Sequence, residues 1–163
     1  MTAKSQQLQI RVTPAQKAAL KRLARRAGVD VSSYVLLRAL PSVRAQIVSL
    51  VSALRRDEDR RYALAELNDL LSGLAPAEFQ DAVADLGLDR LDPLVQNYVA
   101  AMVEEAAGRK GEAPPRWARD IEPLDEPYFA IPFPGLRPHL LRASPVAFKR
   151  RNIFVDSTVG DRV

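Results

Sequence analysis

Polar and apolar residues alternate strictly over Gln7-Leu8-Gln9-Ile10-Arg11-Val12. That period of two predicts a short strand with Leu8, Ile10 and Val12 on one face and Gln7, Gln9 and Arg11 on the other. The period then changes. Thr13 is placed to cap a helix, Pro14 suits its first position, and Gln16 completes a capping box. The helix is predicted to run to about Ala27, with a stripe of Ala19, Leu20, Leu23, Ala24 and Ala27. Lys17, Lys21, Arg22, Arg25 and Arg26 fall mostly outside that stripe. Gly28 supplies a left-handed stop. Asp30 is the expected N-cap of a second helix carrying Val31, Tyr34, Val35, Ala39 and Leu40, which Pro41 ends or kinks.

Helical stripes continue beyond Pro41. Val43, Ile47, Leu50, Val51 and Leu54 share a face, as do Ala63, Leu67, Leu70, Leu71 and Leu74. Phe79, Val83 and Leu86 form a shorter stripe begun by Pro76. Leu94, Val95, Tyr98, Val99, Met102 and Val103 form a last one, capped by Asp92. No strand pattern or internal repeat interrupts them, so the middle of the chain reads as a small helical bundle ending near Gly108-Arg109-Lys110-Gly111.

Four of the twelve prolines (Pro14, Pro41, Pro76 and Pro93) stand at helix starts, and the other eight fall at or after Pro114. From Glu112 the chain is therefore expected to be extended. This tail holds six of the ten aromatic residues: Trp117, Tyr128, Phe129, Phe133, Phe148 and Phe154. Disordered linkers are poor in aromatics, so the tail is expected to become ordered against an apolar surface. Leu136 to Leu141 is a candidate helical turn, and Asn152-Ile153-Phe154-Val155 a candidate strand for a sheet edge. The fold class is mainly α, in three parts: 1–41 (strand and two helices), 42–111 (helical domain) and 112–163 (extended segment).

Charge sharpens this division. The net charge of +4 conceals +9 over residues 1–61, −9 over 62–128 and +4 over 129–163. A basic N-terminal third fits nucleic-acid binding at that end. Glutamine pairs in a bidentate way with adenine and arginine with guanine, so the polar face of Gln7, Gln9 and Arg11 has the chemistry to read base edges. The absence of cysteine excludes disulfides and thiolate chemistry. A lone His139 builds neither a histidine-rich metal site nor a two-histidine mechanism, and it is read as structural. Asp57-Glu58-Asp59, between Arg55-Arg56 and Arg60-Arg61, reads as a charged helix–helix connection. Glu104 and Glu105 are sequence neighbours and diverge on a helix. No phosphate loop, nucleophile elbow or metal-ligand spacing is present. We expect no catalytic residue, metal or cofactor. The N-terminus lacks an apolar signal core and no apolar run approaches ~18 residues, so a soluble, cytoplasmic protein without membrane contact is expected. Lys149-Arg150-Arg151, flanked by Phe148 and Phe154, suits either DNA or an acidic groove on a protein partner; clustered arginine and aromatic residues favour the protein.

The first 40 residues resemble the ribbon-helix-helix family. The likeness rests on Gln7 to Val12, Thr13-Pro14, Leu20 with Leu23, Ala27-Gly28-Val29, and Asp30-Val31-Ser32-Ser33-Tyr34-Val35. It implies an intertwined homodimer whose paired strands enter the major groove of double-stranded DNA, with Gln7, Gln9 and Arg11 toward the bases. It also implies a phosphate at the amide end of the second helix, around Val31, Ser32 and Ser33. Independently, a lone strand and some 40 residues cannot bury an adequate core. A basic dimeric head followed by an aromatic tail is similar to the antitoxins of bacterial type II toxin–antitoxin pairs. That resemblance implies an autorepressor of its operon whose tail masks a toxin. Trp117, Tyr128, Phe129, Phe133, Phe148, Arg150, Arg151 and Phe154 would then be the toxin-binding residues. Two alternatives stay open: a stand-alone repressor whose bundle oligomerises or senses a ligand, and a DNA-binding accessory of plasmid partition or conjugation.

Overall fold

A computed structural model describes residues 9–39 and 41–156. The described residues are mainly helical and separate into two compact units, Met1–Ser42 and Val43–Val163.

In the first unit, α1 (Pro14–Arg26) starts as its sequence dictates. The Thr13 hydroxyl accepts from the Gln16 amide at 3.3 Å, and the Thr13 amide donates to Gln16 Oε1 at 2.9 Å. Two of the donors that any helix start leaves unpaired are thereby satisfied. Gly28, at φ +69°, lets the chain reverse, and the Val29 amide bonds back to Ala24 O at 3.1 Å. α2 (Val31–Ala39) then packs on α1. Asp30 caps it, accepting from the Ser33 amide at 3.0 Å.

The second unit is built around α6 (Pro93–Lys110). Asp92 caps its start by accepting from the Val95 amide at 3.0 Å, and Gly111 (φ +70°) ends it in a left-handed cap. Before it come α3 (Val43–Ala53), α4 (Asp57–Gly73) and α5 (Pro76–Val83). α3 packs chiefly on α4, and both α4 and α5 reach α6. Their predicted stripes supply Ile47, Val51, Leu67, Leu71, Phe79 and Val83 to one core. Arg44 ties α3 to the end of α5, donating to Asp81 O at 2.8 Å and Asp85 O at 3.2 Å. The expected connection at Asp57-Glu58-Asp59 is instead the first turn of α4. Carboxylates are favoured there by the helix dipole, and ion pairs Arg56–Asp59 (2.8 Å) and Arg60–Asp57 (2.9 Å) hold the turn.

The tail departs most from its prediction. It does not run extended from Glu112 but folds back as α7 (Arg116–Asp120), β1 (Tyr128–Phe129), α8 (Arg137–Ala143), α9 (Val146–Lys149) and β2 (Ile153–Phe154). A 3-10 turn over Pro134–Leu136 leads into α8. The surface that orders the tail is the chain's own α6, contacted by α7 and α9. Phe148, Ile153 and Val155 enter the same core as Ile47 and Leu67. The candidate strand near residue 153 pairs in parallel with β1, in register Tyr128↔Ile153 and Phe129↔Phe154.

Buried polar groups fasten this closure. The Arg151 side chain, 4 % exposed, donates to Asn97 Oδ1 at 3.1 Å, Glu104 Oε1 at 2.7 Å and the carbonyls of Ile121 and Ala118. Asn97, also buried, donates in turn to Pro93 O and Glu122 O at 3.0 Å each. Ser144 Oγ accepts the Val155 amide at 2.9 Å. Asn152, at φ +59°, donates to Leu124 O at 3.0 Å. The Tyr98 ring meets Phe148 edge to face, centroids 5.3 Å apart. Burial, with a smaller electrostatic push from Tyr128, raises its phenol from 10.0 to about 12. Among the described residues no helix is long and apolar enough to cross a membrane.

Candidate nucleic-acid interface

Residues 1–42 carry eight Lys or Arg against the single acid Asp30. One acid cannot offset eight cations, so the unit carries a net +7 and is suited to phosphates. Lys17, Lys21, Arg22, Arg25 and Arg26 are all exposed along α1, and Arg25 and Arg26 also complement the helix dipole in its last turn.

Gln9 to Val12 lead into α1 with no helical or strand pairing among the described residues, and all four are exposed. Ile10 is 61 % exposed and Val12 42 % exposed. Two β-favouring apolar residues therefore stand uncovered, and a strand here would put them on the face opposite Gln9 and Arg11. Leu23 and Leu36 are likewise exposed, and Ala24 is the buried apolar residue of the unit among those described. Such a unit has its backbone turns made but its apolar surface still uncovered. The third base-reading residue of the sequence reading, Gln7, lies outside the described residues, as does Leu8.

At the other expected contact, Val31, Ser32 and Ser33 form the first turn of α2, as predicted. Ser33 is already engaged: its amide and its hydroxyl both donate to the Asp30 carboxylate. The capping carboxylate takes the two Ser33 hydrogen bonds that the expected phosphate contact would use. The spacing Asp-x-x-Ser carried this signal, since an Asp cap reaches the amide three residues on. Further along, the Arg38 guanidinium lies 5.6 Å from the Tyr34 ring centre.

Residues 2–75 match the NikA-like family model, that of mobilization protein NikA. The NikA-like match covers less than half of the chain. It begins ahead of the exposed segment, takes in α1 and α2, and ends just past α4. No curated protein and no solved structure matches the chain.

The residues expected to hold a toxin are scattered over the second unit. Phe148 and Arg151 are buried in its own core, and Trp117 is half-buried with its indole N–H donating to Val83 O at 2.8 Å. Phe129 stacks on Phe154 with centroids 4.9 Å apart, both half-buried. Tyr128, Phe133 and Arg150 are exposed. His139 lies 3.6 Å from Asp156 at the surface. Among the described residues no group of His, Asp and Glu has the geometry to hold a metal ion.

Proposed function

We propose that this protein is a homodimeric DNA-binding accessory in the mobilization of a DNA element, binding a specific duplex site and catalysing nothing itself. The observation that carries the reading is the uncovered segment Gln9–Val12 inside the stretch that resembles mobilization protein NikA. Pairing this segment with its copy in a second chain would cover Ile10 and Val12 and satisfy both strands' backbone groups. The same pairing would present Gln9 and Arg11 from each copy on one ribbon, to be read against a major groove. This is the conjugation alternative of the sequence reading. The antitoxin reading loses its motive, because the tail that was to await a toxin is occupied by its own bundle and the NikA-like match does not extend to it.

Selection from a randomised duplex library with the full chain tests the proposal. One enriched motif, bound by two copies, is expected. Arg11→Ala should cost about 1–3 kcal/mol on that motif and relax the base preference at one position in each half-site. Enrichment of no motif, or an Arg11→Ala variant that binds it as wild type does, would falsify the ribbon reading.

A further inference from the structure

From Phe129 to Val155 the chain contains five Lys or Arg and no Asp or Glu, directly after the −9 stretch of residues 62–128. Folding separates these five cations. Arg151 turns inward onto Glu104, while Arg137, Arg142 and Arg150 are exposed and Lys149 half-exposed. Lys149 Nζ donates to Arg142 O at 2.8 Å, which sets the end of α9 beside the end of α8. Neither Arg142 nor Arg150 meets a carboxylate among the described residues. Arg137 lies 4.9 Å from the centre of the Phe129 ring, which itself rests on Phe154, so its guanidinium is held on an aromatic floor. Phe133, 66 % exposed, stands one 3-10 turn before α8, at the Arg137 end of that helix.

We propose that this α8–α9 face is a second, sequence-independent nucleic-acid contact. Arg142 and Arg150, at the adjoining ends of α8 and α9, hold a phosphodiester backbone, while at the start of α8 Arg137 meets the next phosphates and Phe133 offers a ring on which an unpaired base stacks. Cations combined with an exposed aromatic ring suit a single strand, because every base has a face to stack. Residues 62–128 of the same unit carry −9, so cationic charge is concentrated in the stretch that follows them. An acidic protein segment would also answer the charge and the ring, and poly-glutamate binding separates it from a nucleic acid. The choice of nucleic acid rests on the DNA-binding reading of the first unit: a strand held there is presented to the second unit at high effective concentration.

The test uses the full chain, with anisotropy titrations of a non-cognate single strand and a non-cognate duplex from 50 to about 200 mM salt, the range over which phosphate contacts are lost. Arg142→Glu with Arg150→Glu should weaken binding at least tenfold at low salt. It should lower the salt slope by about 1.4 on the single strand, or about 1.8 on the duplex. Preference for the selected duplex motif over non-cognate duplex should persist. Phe133→Ala should lose about tenfold on the single strand and nothing on the duplex. Loss on both nucleic acids from the charge pair, with Phe133→Ala silent, keeps the backbone contact and assigns it to duplex phosphates. Should the Glu pair unfold, Arg142→Gln with Arg150→Gln gives the same comparison. Unchanged isotherms and slopes in a folded variant overturn the proposal. So does a loss confined to poly-glutamate binding, which gives the face to an acidic partner. The first-unit reading fails separately, through a wild-type chain that prefers no duplex sequence.

Discussion

Asp30 and Arg151 show how much single residues decide here. Asp30 is the sole acid of the basic unit, and it is spent on capping α2. Asp30→Ala should destabilise that unit by about 1 kcal/mol, the usual worth of a cap, measured by chemical denaturation. Arg151 is the converse case of a cation taken out of solvent. Arg151→Met keeps the volume but leaves Glu104 and Asn97 without their partner. A loss of about 3–5 kcal/mol in the second unit is expected. Tyr98 adds a pH dependence. Its phenol is raised in the folded state, so its contribution is full below the unfolded value of 10.0 and is lost as pH climbs through about 12. Stability against pH between those limits should fall less steeply for Tyr98→Phe than for wild type, and parallel curves would refute the assignment.

At the scale of elements, the helices before residue 111 were legible because periodicity and caps agree there. Thr13 with Gln16, Gly28, Asp30, Pro76 and Asp92 each do what their chemistry predicts. The tail was legible only in part: the candidate turn at Leu136 to Leu141 and the candidate strand near Ile153 are there as α8 and β2, but the fold-back onto α6 was not foreseen, for a physical reason. Its elements span a few residues each, too few to display a period, and they are ordered by contacts from distant sequence. α6 shows the same blindness from the other side. Leu94 to Val103 predicts a one-faced stripe, yet Ala100, Ala101, Ala106 and Ala107 are buried as well. Alanine gives little hydrophobic signal, and α6 is packed by α7 and α9 as well as by α4 and α5. For the interface, the alternation around Ile10 and the Asp30 cap were readable, while the exposure of Ile10 and Val12 required the structure. Because the tail completes the core, Phe148→Ala should cost about 3–5 kcal/mol. A chain cut after Gly111 should keep duplex binding by the first unit, while its second unit loses its cooperative melting transition in calorimetry. A truncated chain that melts as sharply as wild type would contradict the closed core.

For the whole molecule, the two units differ in how they obtain a core. The second is self-sufficient, with apolar residues from α3 to β2 in one cluster. The first exposes Ile10, Val12, Leu23 and Leu36 and on our reading depends on a second copy. Thermal unfolding should therefore show a transition for the first unit that rises with protein concentration and one for the second that does not. Two concentration-independent transitions would remove the dimer.

The placement of Phe148, Ile153 and Val155 in the central core also sets a timetable for biosynthesis. At about 5–20 residues per second, a ribosome needs roughly 6–23 s to travel from Ser42 to Val155. Throughout that interval the N-terminal unit is already made, while the bundle behind it still lacks the pieces that cover α6. The proposed ribbon would then find its mate while both chains are unfinished, favouring chains translated from the same messenger. A premature stop soon after Gly111 would yield a protein with its head intact and its α6 lacking α7 and α9, a target for chaperones and proteases.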